Sequence, residues 1–329
     1  MKKKLIVAAA TLLSASTAFA GGPEILPIED YFSGFYVGGN ISGQFMKSKQ
    51  TAQLDMGSQL DVGPTLVTPI EDVFLPIPQV LLSGDGGAAD VFGGIQGGFN
   101  WTFNHQWVLG LEGFGNWGNL SSTTSTTVNS VNAPLVNNVN QLIPFVPVNS
   151  DSNTNSNTVT LSTTTKIDSQ YGLKGKLGWL VTPTTMIYGV IGAEWADLKV
   201  TTNANGAYNV NAVSDDESIT SNGTFTGSES SSSTKVSVLA GGGIEQFVYQ
   251  DIVSFFVEYD YSNFATVNVG PSDVTTSISG STTVDGHTET FGDPTPLSQP
   301  IENVLTGGGN ATVNAVQGGI NVYFGRNWL

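Results

Sequence analysis

The sequence predicts an all-β protein, an eight-stranded antiparallel up-and-down transmembrane β-barrel with long extracellular loops. Three observations favour this fold class. The 329 residues include 40 glycines and no cysteine, and only 12% of them are charged, a composition that suits strands and turns better than helices. Apolar and polar residues alternate with period two along recurring segments. The connections between those segments are alternately long and short, as in membrane-spanning barrels.

Residues 1–20 have the pattern of a cleaved secretory signal peptide. Three lysines precede an apolar stretch that is too short to span a bilayer, and an Ala-Phe-Ala sequence ends at residue 20. We therefore expect residues 21–329 to be exported and to form one barrel domain. Without the three lysines, this part has 8 basic and 27 acidic residues and a net charge of −19, which argues against binding to duplex nucleic acid.

Eight segments have the alternation expected of half-buried strands. They span approximately residues 34–47, 90–103, 107–120, 166–181, 186–199, 235–247, 252–262 and 312–324. In the first segment, Phe35, Val37 and Ile41 share one face, whereas Tyr36, Asn40 and Gln44 share the other. Helical periodicity would not gather these residues into an apolar stripe, so the pattern favours a strand.

The second and third segments lie on either side of a tight turn at residues 104–106. Their apolar faces, which we expect to contact lipid, contain Val91, Ile95, Phe99, Trp101 and Phe103, then Trp107, Leu109, Leu111 and Trp117. The opposite faces are polar and include Gln96, Asn100, Glu112 and Asn116. The two segments therefore predict a hairpin with one lipid-facing and one interior face.

The later segments place charged residues on the face opposite the apolar one. In the fourth, Ile167 and Tyr171 are predicted to face lipid, whereas Asp168, Lys174 and Lys176 face the interior. Further charged residues assigned to the interior are Glu194 in the fifth segment, Lys235 and Glu245 in the sixth, and Glu258 and Asp260 in the seventh. The eighth segment alternates apolar residues with Gln317, Asn321 and Tyr323.

The connections have two lengths. Short turns are predicted near 104–106, 182–185 and 248–251, and long connections at about 48–89, 121–165, 200–234 and 263–311. Outer-membrane barrels have short periplasmic turns and long extracellular loops. Aromatic residues gather at both ends of the segments, Trp107 and Trp179 near the turns and Trp117 and Trp195 near the long connections. This distribution predicts two aromatic girdles at the membrane interfaces.

Four motifs resemble strands of a known family. The sequences at 35–40 (FYVGGN), 108–113 (VLGLEG), 257–262 (VEYDYS) and 318–324 (GGINVYF) are similar, in this order, to strands of OmpA-like and opacity-type outer-membrane barrels. The resemblance implies a small eight-stranded barrel. Unlike the two-domain members of that family, this chain is expected to have no peptidoglycan-binding domain after the barrel. Members of that family usually end on an aromatic residue that the assembly machinery reads. Here the signal is either Phe324 with a short tail or Trp328-Leu329.

The interior charges predict a network that fills the barrel. An eight-stranded barrel is just wide enough for side chains, and unpaired buried charge is costly. We expect Glu112, Lys174, Lys176, Glu194, Glu245 and Glu258 to form this lumen charge network. The alternative is an ion path, which the surplus of acidic residues would make selective for cations.

The sequence contains no recognisable catalytic, cofactor or metal site. Its two histidines, His105 in a predicted turn and His287 in the last loop, lack neighbouring nucleophiles in the sequence. The acidic cluster at 215–217 lacks the spacing of a calcium loop. The glycine runs precede no helix, so they are not phosphate loops. We therefore expect no catalysis and no cofactor.

The predicted role is structural and surface-interacting. The expected partners are outer-membrane lipid and a host or matrix ligand at the extracellular loops. Two Pro-punctuated apolar runs, at 73–78 and 142–147, either pack as a cap over the barrel or form a contact patch. A narrow, weakly cation-selective porin is the alternative function, and an exported soluble β-protein is the third hypothesis.

Overall fold

The computed structural model describes residues 31–55, 80–131, 152–213, 217–249, 252–284, 287–292 and 304–324. Several predicted features lie outside these residues: the signal peptide at 1–20, the apolar runs at 73–78 and 142–147, most of the acidic cluster and the C-terminal tail. The strands are β1 Gly34–Asp55, β2 Val80–Phe103, β3 Trp107–Val131, β4 Ser152–Thr182, β5 Thr185–Val213, β6 Glu217–Tyr249, β7 Val253–Asp273, β8 Thr275–Val284, β9 His287–Gly292 and β10 Val304–Phe324. No helix in the described part is long and apolar enough to cross a membrane.

Eight of the strands close into a ring. Each of β1 to β7 pairs antiparallel with its neighbour in the sequence, β7 pairs with β10, and β10 pairs with β1. The prediction of an eight-stranded antiparallel up-and-down barrel is therefore confirmed. The two remaining strands, β8 and β9, form a hairpin that adds to the edge of β6.

One end of the ring, which we call the turn end, has short connections where the sequence predicts them. The turn between β2 and β3 contains Asn104 and His105, both with φ of 51°. This left-handed conformation matches the right-handed twist of a hairpin, and Asn and His adopt it more readily than branched residues do. Thr182 pairs with Thr185 across the next turn, which leaves only residues 183 and 184 in the connection.

At the opposite end, the loop end, the strands continue well beyond their predicted limits. β3 and β4 stay paired from Ser121 and Lys166 to Val131 and Ser156, within the segment assigned to a long connection at 121–165. β5 and β6 likewise extend through most of 200–234. Several interior positions here are hydroxyl residues, such as the buried Thr163, so the alternation of hydropathy that marks a strand is weakened.

A bulge in β4 reverses two predicted side-chain directions. The register with β5 shifts between Ile167 and Gln170, and a bulge moves the residues beyond it to the opposite face. Ile167 is fully buried and Asp168 faces outward, so both assignments from simple alternation were wrong. Outside the barrel, the Asp168 carboxylate lies 2.8 Å from the Lys166 ammonium.

Toward the loop end the ring opens along two seams into a sandwich. β2 and β3 pair only as far as Gly93 and Trp117, and β6 and β7 only as far as Leu239 and Ser262. Beyond these points one sheet contains β7, β10, β1 and β2, and the other contains β3, β4, β5, β6, β8 and β9. We call this two-sheet region the extension.

The two sheets of the extension approach too closely for a side chain at some positions. A Cβ atom added at Gly307 would lie 2.3 Å from Thr202 Oγ1, and one added at Gly309 would lie 2.4 Å from Thr165 Oγ1. Both glycines belong to β10, and the threonines lie on the opposite sheet. A side chain at either position would therefore force the facing threonine or the sheets to shift.

Substitution of Gly309 tests this packing. Gly309→Val should lower the free energy of unfolding by about 1–3 kcal/mol, because overpacking forces the sheets apart. Gly270→Val is the matched control, since a Cβ at Gly270 meets nothing within 4 Å. Denaturant titration of both variants in detergent checks the prediction. Equal destabilisation of the two variants would show that the sheets do not pack this closely.

Candidate functional site

The barrel wall near the turn end carries a belt of exposed apolar side chains. The belt consists mainly of Phe35, Val37, Ile41, Phe45, Val91, Ile95, Trp101, Trp107, Leu109, Leu111, Trp117, Tyr171, Leu173, Leu177, Trp179, Ile187, Ile191, Val236, Val238, Phe255, Val257, Tyr259, Tyr261, Ile320 and Phe324. On β3, Trp107 and Trp117 mark its two ends. Ten residues of strand span about 33 Å, and a tilt of about 40° gives the belt a height of about 25 Å.

The interior at the turn end is closed by aromatic rings. The centroids of Phe32 and Phe247 lie 4.7 Å apart, those of Phe247 and Tyr323 4.9 Å apart, and those of Tyr36 and Tyr323 5.2 Å apart. Tyr188 is buried in the same cluster. These rings form an apolar layer across the ring of strands, which we call the aromatic plug.

Two buried lysines lie directly beyond the aromatic plug and join carboxylates from several strands. Lys174 Nζ lies 3.1 Å from Glu112 Oε1 and 3.5 Å from Asp260 Oδ2, and it also contacts Glu258. Lys176 Nζ lies 3.2 Å from Glu112 Oε2 and 3.6 Å from Glu245 Oε2. These side chains come from β3, β4, β6 and β7. The contacts therefore connect the walls of the barrel across its interior.

Neutral donors accompany the surplus of carboxylates. Gln317 donates from Nε2 to Glu258 Oε1 at 2.6 Å and to Asp260 Oδ2 at 3.0 Å. Glu245 Oε1 accepts hydrogen bonds from Ser254, from Asn321 and from Tyr323. A hydrogen bond to a carboxylate favours its charged form. The acidic surplus is thus met by amide and hydroxyl groups as well as by the two ammonium groups.

Aromatic rings also contact the two lysines. Tyr36 donates its hydroxyl hydrogen to Glu112 Oε2 at 2.5 Å. Lys176 Nζ lies 5.2 Å from the centre of the Tyr36 ring and 4.6 Å from the centre of the Tyr188 ring, within the range of a cation–π interaction. Lys174 Nζ lies 4.8 Å from the Phe114 ring centre. The lysines are consequently surrounded by carboxylates and ring faces.

The structure brings together five of the six residues predicted for the lumen charge network. Glu112, Lys174, Lys176, Glu245 and Glu258 meet in one cluster. Glu194 is also buried, but it accepts a hydrogen bond from Ser262 and forms no salt bridge with another described residue.

The cluster also contains partners that the prediction did not include. Asp260 was assigned to the interior but not to the network, and Tyr36 and Tyr323 were assigned only to interior faces. The inward positions of these three residues in the alternating pattern were the signal that could have identified them as partners of the cluster. Lys235 lies outside the cluster and is only half-buried.

Two further apolar layers close the interior toward the loop end. The first consists of Met46, Phe92, Leu120, Ile167, Ala196, Leu198, Val200, Phe264, Val267, Val269, Ala311 and Val313. The second consists of Ala52, Leu54, Val80, Leu82, Val159, Leu161, Ala204, Phe225, Val274 and Leu305. A polar layer lies between them, in which Gln50 donates to the Ser122 carbonyl and to Thr165 Oγ1. Together with the aromatic plug, three apolar layers cross the interior.

The outer surface of the extension carries paired hydroxyl side chains and a shallow groove. Thr123 and Thr164 are joined by a 2.8 Å hydrogen bond across β3 and β4, and Thr127 and Thr160 by one of 3.0 Å. The groove has a volume of about 390 Å³ and is lined by Ser156, Thr158, Ala207, Asn209, Asn222, Gly223, Thr224, Ser277 and Ser279. Hydroxyl and amide groups therefore dominate the surface that the extension presents.

The two histidines lie far apart in the fold. His105 is in the turn between β2 and β3, and His287 begins β9 in the hairpin added to the extension. Among the residues that the structure describes, no group of three or more His, Asp or Glu side chains has the arrangement to hold a metal ion.

Comparison with known proteins finds solved outer-membrane proteins of low similarity. No protein-family model matches the chain, and no curated protein sequence matches it significantly. The chain is 9% identical to the outer membrane protease OmpT from Escherichia coli, over 87% of this chain and 97% of that one, with a TM-score of 0.28. It is 10% identical to Ail, the attachment invasion locus protein of Yersinia pestis, over 87% and 99% of the two chains, with a TM-score of 0.22.

A FadL homologue from Pseudomonas aeruginosa is also similar, with 9% identity over 88% of this chain and 91% of that one and a TM-score of 0.14. At these scores the three proteins do not indicate a role for this chain. The barrel fold rests on the strand pairing described above. Membership of the OmpA-like and opacity-type family stays a prediction.

Removal of one buried lysine tests the charge cluster. Lys176→Met should lower the free energy of unfolding by about 3 kcal/mol, because it leaves the carboxylates of Glu112 and Glu245 buried with fewer partners. Lys47→Met is the matched control, because the same atoms are removed from an exposed residue on the outer wall. Urea titration followed by tryptophan fluorescence measures both. A similar small change in each variant would contradict the pairing.

Proposed function

We propose that the protein is an integral outer-membrane barrel with a structural and surface-interaction role and no catalytic activity. The observation that carries this proposal is the combination of a filled interior with an apolar outer belt. Aromatic rings, ion pairs and aliphatic side chains fill the interior between the described strands, and the belt provides a surface for lipid. The exposed polar extension is then the part that partners meet.

The belt supports insertion into a bilayer. Its height of about 25 Å is that of the apolar band of outer-membrane barrels. Contiguous apolar surface of this size is a liability in water, but it is stabilising in contact with hydrocarbon. Tryptophan at both ends of the belt, as at Trp107 and Trp117, matches the preference of this side chain for membrane interfaces. A signal peptide at 1–20 provides the export that this location requires.

The interior supports a closed barrel rather than a pore. A narrow, weakly cation-selective porin is the alternative, and it requires a hydrated path along the axis. Three apolar layers and the charge cluster of Lys174 and Lys176 lie across that axis. Opening a path would expose these layers and separate the buried ion pairs, which is costly.

The extension supports a role in surface contact. Its strands continue beyond the belt and hold the hydroxyl and amide side chains of the groove on a rigid sheet. The groove lacks charged side chains, so its chemistry fits a neutral, hydroxyl-rich ligand such as a glycan of a host surface or matrix. Rigid strands lower the entropic cost of binding relative to flexible loops.

Single-cysteine labelling tests location and orientation together. The natural chain has no cysteine, so Ser125→Cys on the extension and Gln106→Cys in the β2–β3 turn each introduce one thiol at an exposed position. In intact cells, a membrane-impermeant maleimide should label the thiol at position 125. The thiol at position 106 should react only after the outer membrane is permeabilised, because the turns face the periplasm.

Two outcomes would contradict the proposal. Labelling of position 106 but not 125 in intact cells would reverse the orientation. Labelling of both positions only after lysis of the inner membrane would rule out an outer-membrane location. A gel in which the unboiled protein migrates differently from the boiled one verifies that each variant is folded.

A further inference from the structure

The basic residues of the described chain that lie outside the buried cluster occupy one narrow band, and Lys235 among them is half-buried. Apart from the buried Lys174 and Lys176, the described lysines are Lys47, Lys49, Lys166, Lys199 and Lys235, and no arginine lies among the described residues. All five lie along the boundary of the apolar belt that is nearer the loop end. None lies at the turn end. Among the described residues, therefore, ammonium groups on the outer wall lie only at the loop-end boundary of the belt.

The height of the band is set by the strands. Lys47 follows Phe45 by two residues on β1, and Lys199 follows Trp195 by four residues on β5. With a rise of about 3.3 Å per residue and a tilt of about 40°, these lysines lie about 5 and 10 Å beyond the aromatic boundary of the belt. Lipid headgroups occupy this depth outside the hydrocarbon region.

Two pairs of lysines lie on opposite sheets of the extension. Lys47 and Lys49 are two residues apart on β1, so both point outward from the same face of the strand. Lys166 of β4 is directly opposite Lys199 of β5. Like charges in such a position destabilise a strand pair, and an anion between them would relieve the repulsion. Asp168 contacts Lys166, whereas Lys47, Lys49 and Lys199 form no salt bridge with any described residue.

We propose that the two lysine pairs bind phosphate groups of lipid headgroups in the outer leaflet. This inference rests on the proposed function, since it requires the belt to lie in the membrane with the extension outside. Ammonium groups bind phosphate as compact point charges. Basic residues close to a membrane surface are attracted to anionic lipid.

The surrounding acidic residues favour a lipid over a free ion. Asp85 pairs in register with Lys49, and Asp168 and Asp197 lie beside the second pair on the outer face. A free phosphate approaching this strongly acidic protein is repelled at long range. A lipid phosphate is already held at the height of the lysines by the acyl chains, so only the local contacts decide its binding.

Equilibrium binding to lipid A, a disaccharide lipid with two phosphate groups, tests the proposal. The wild-type barrel in neutral detergent micelles should bind fluorescent lipid A at least tenfold more tightly than its dephosphorylated form. A variant with K47Q, K49Q, K166Q and K199Q should lose about tenfold in affinity. The matched variant with arginine at the four positions keeps the charges and should stay within threefold of wild type.

The comparison of the two lipids uses only the wild-type protein, so it is decisive even where a variant fails to fold. Equal affinity for the two lipids, or an unchanged affinity of the glutamine variant, would overturn the proposal. Displacement of lipid A by millimolar inorganic phosphate would assign the lysines to a free anion and overturn the lipid assignment. Cysteine labelling, which does not depend on these lysines, separates this failure from a failure of the membrane topology.

Discussion

A closed ring of eight strands encloses just enough space for side chains, and every other feature of this molecule depends on how that space is filled. Each inward residue must pack against a residue from across the barrel. The chain meets this constraint with rings at the turn end, ion pairs in the middle and aliphatic layers in the extension. The outward residues do not have to fit this interior space. They are apolar where lipid is expected, and many of them carry hydroxyl groups in the extension.

The buried charges link the walls of the barrel. Lys174 of β4 contacts Glu112 on the neighbouring strand β3 and Glu258 on β7, three strands away, so the second contact forms only when the sheet curves into a ring. Burying a charge is costly unless it is paired and hydrogen-bonded. The cluster therefore disfavours open or slipped arrangements of the strands, in which these groups would lose their partners. The tyrosines that contact it join the charged layer to the aromatic plug.

Alternation in the sequence predicts the strands of the barrel between the turn end and the extension, because lipid and interior impose opposite chemistry on successive residues. Leu111 and Glu112 show this most simply, since one is exposed in the belt and the other is buried in the cluster. Pairing across the interior is different. That Lys174 contacts Glu258 while Glu194 forms a hydrogen bond with Ser262 depends on the stagger of the strands, which local periodicity does not encode.

The extension could not be predicted in this way. Thr163, Thr165 and Thr202 are fully buried, yet as polar residues they resemble those of a surface loop. Glycines such as Gly307 allow the sheets to approach, but in the sequence they look like turn residues. The bulge after Ile167 shifts the alternation of β4 by one residue, and no proline or glycine at this point of β4 indicates it in the sequence. These positions are decided by packing between sheets, which has no short-range pattern.

Reconstitution of the purified barrel into planar lipid bilayers tests the central claim, that the interior is closed. Refolded protein, verified by its heat-modifiable migration, should give no steady conductance, and only small, rare, cation-preferring openings at high voltage. A barrel with a hydrated axis would instead conduct continuously. Stable, large, voltage-insensitive channels from the wild-type protein would contradict the closed interior and establish the protein as a porin.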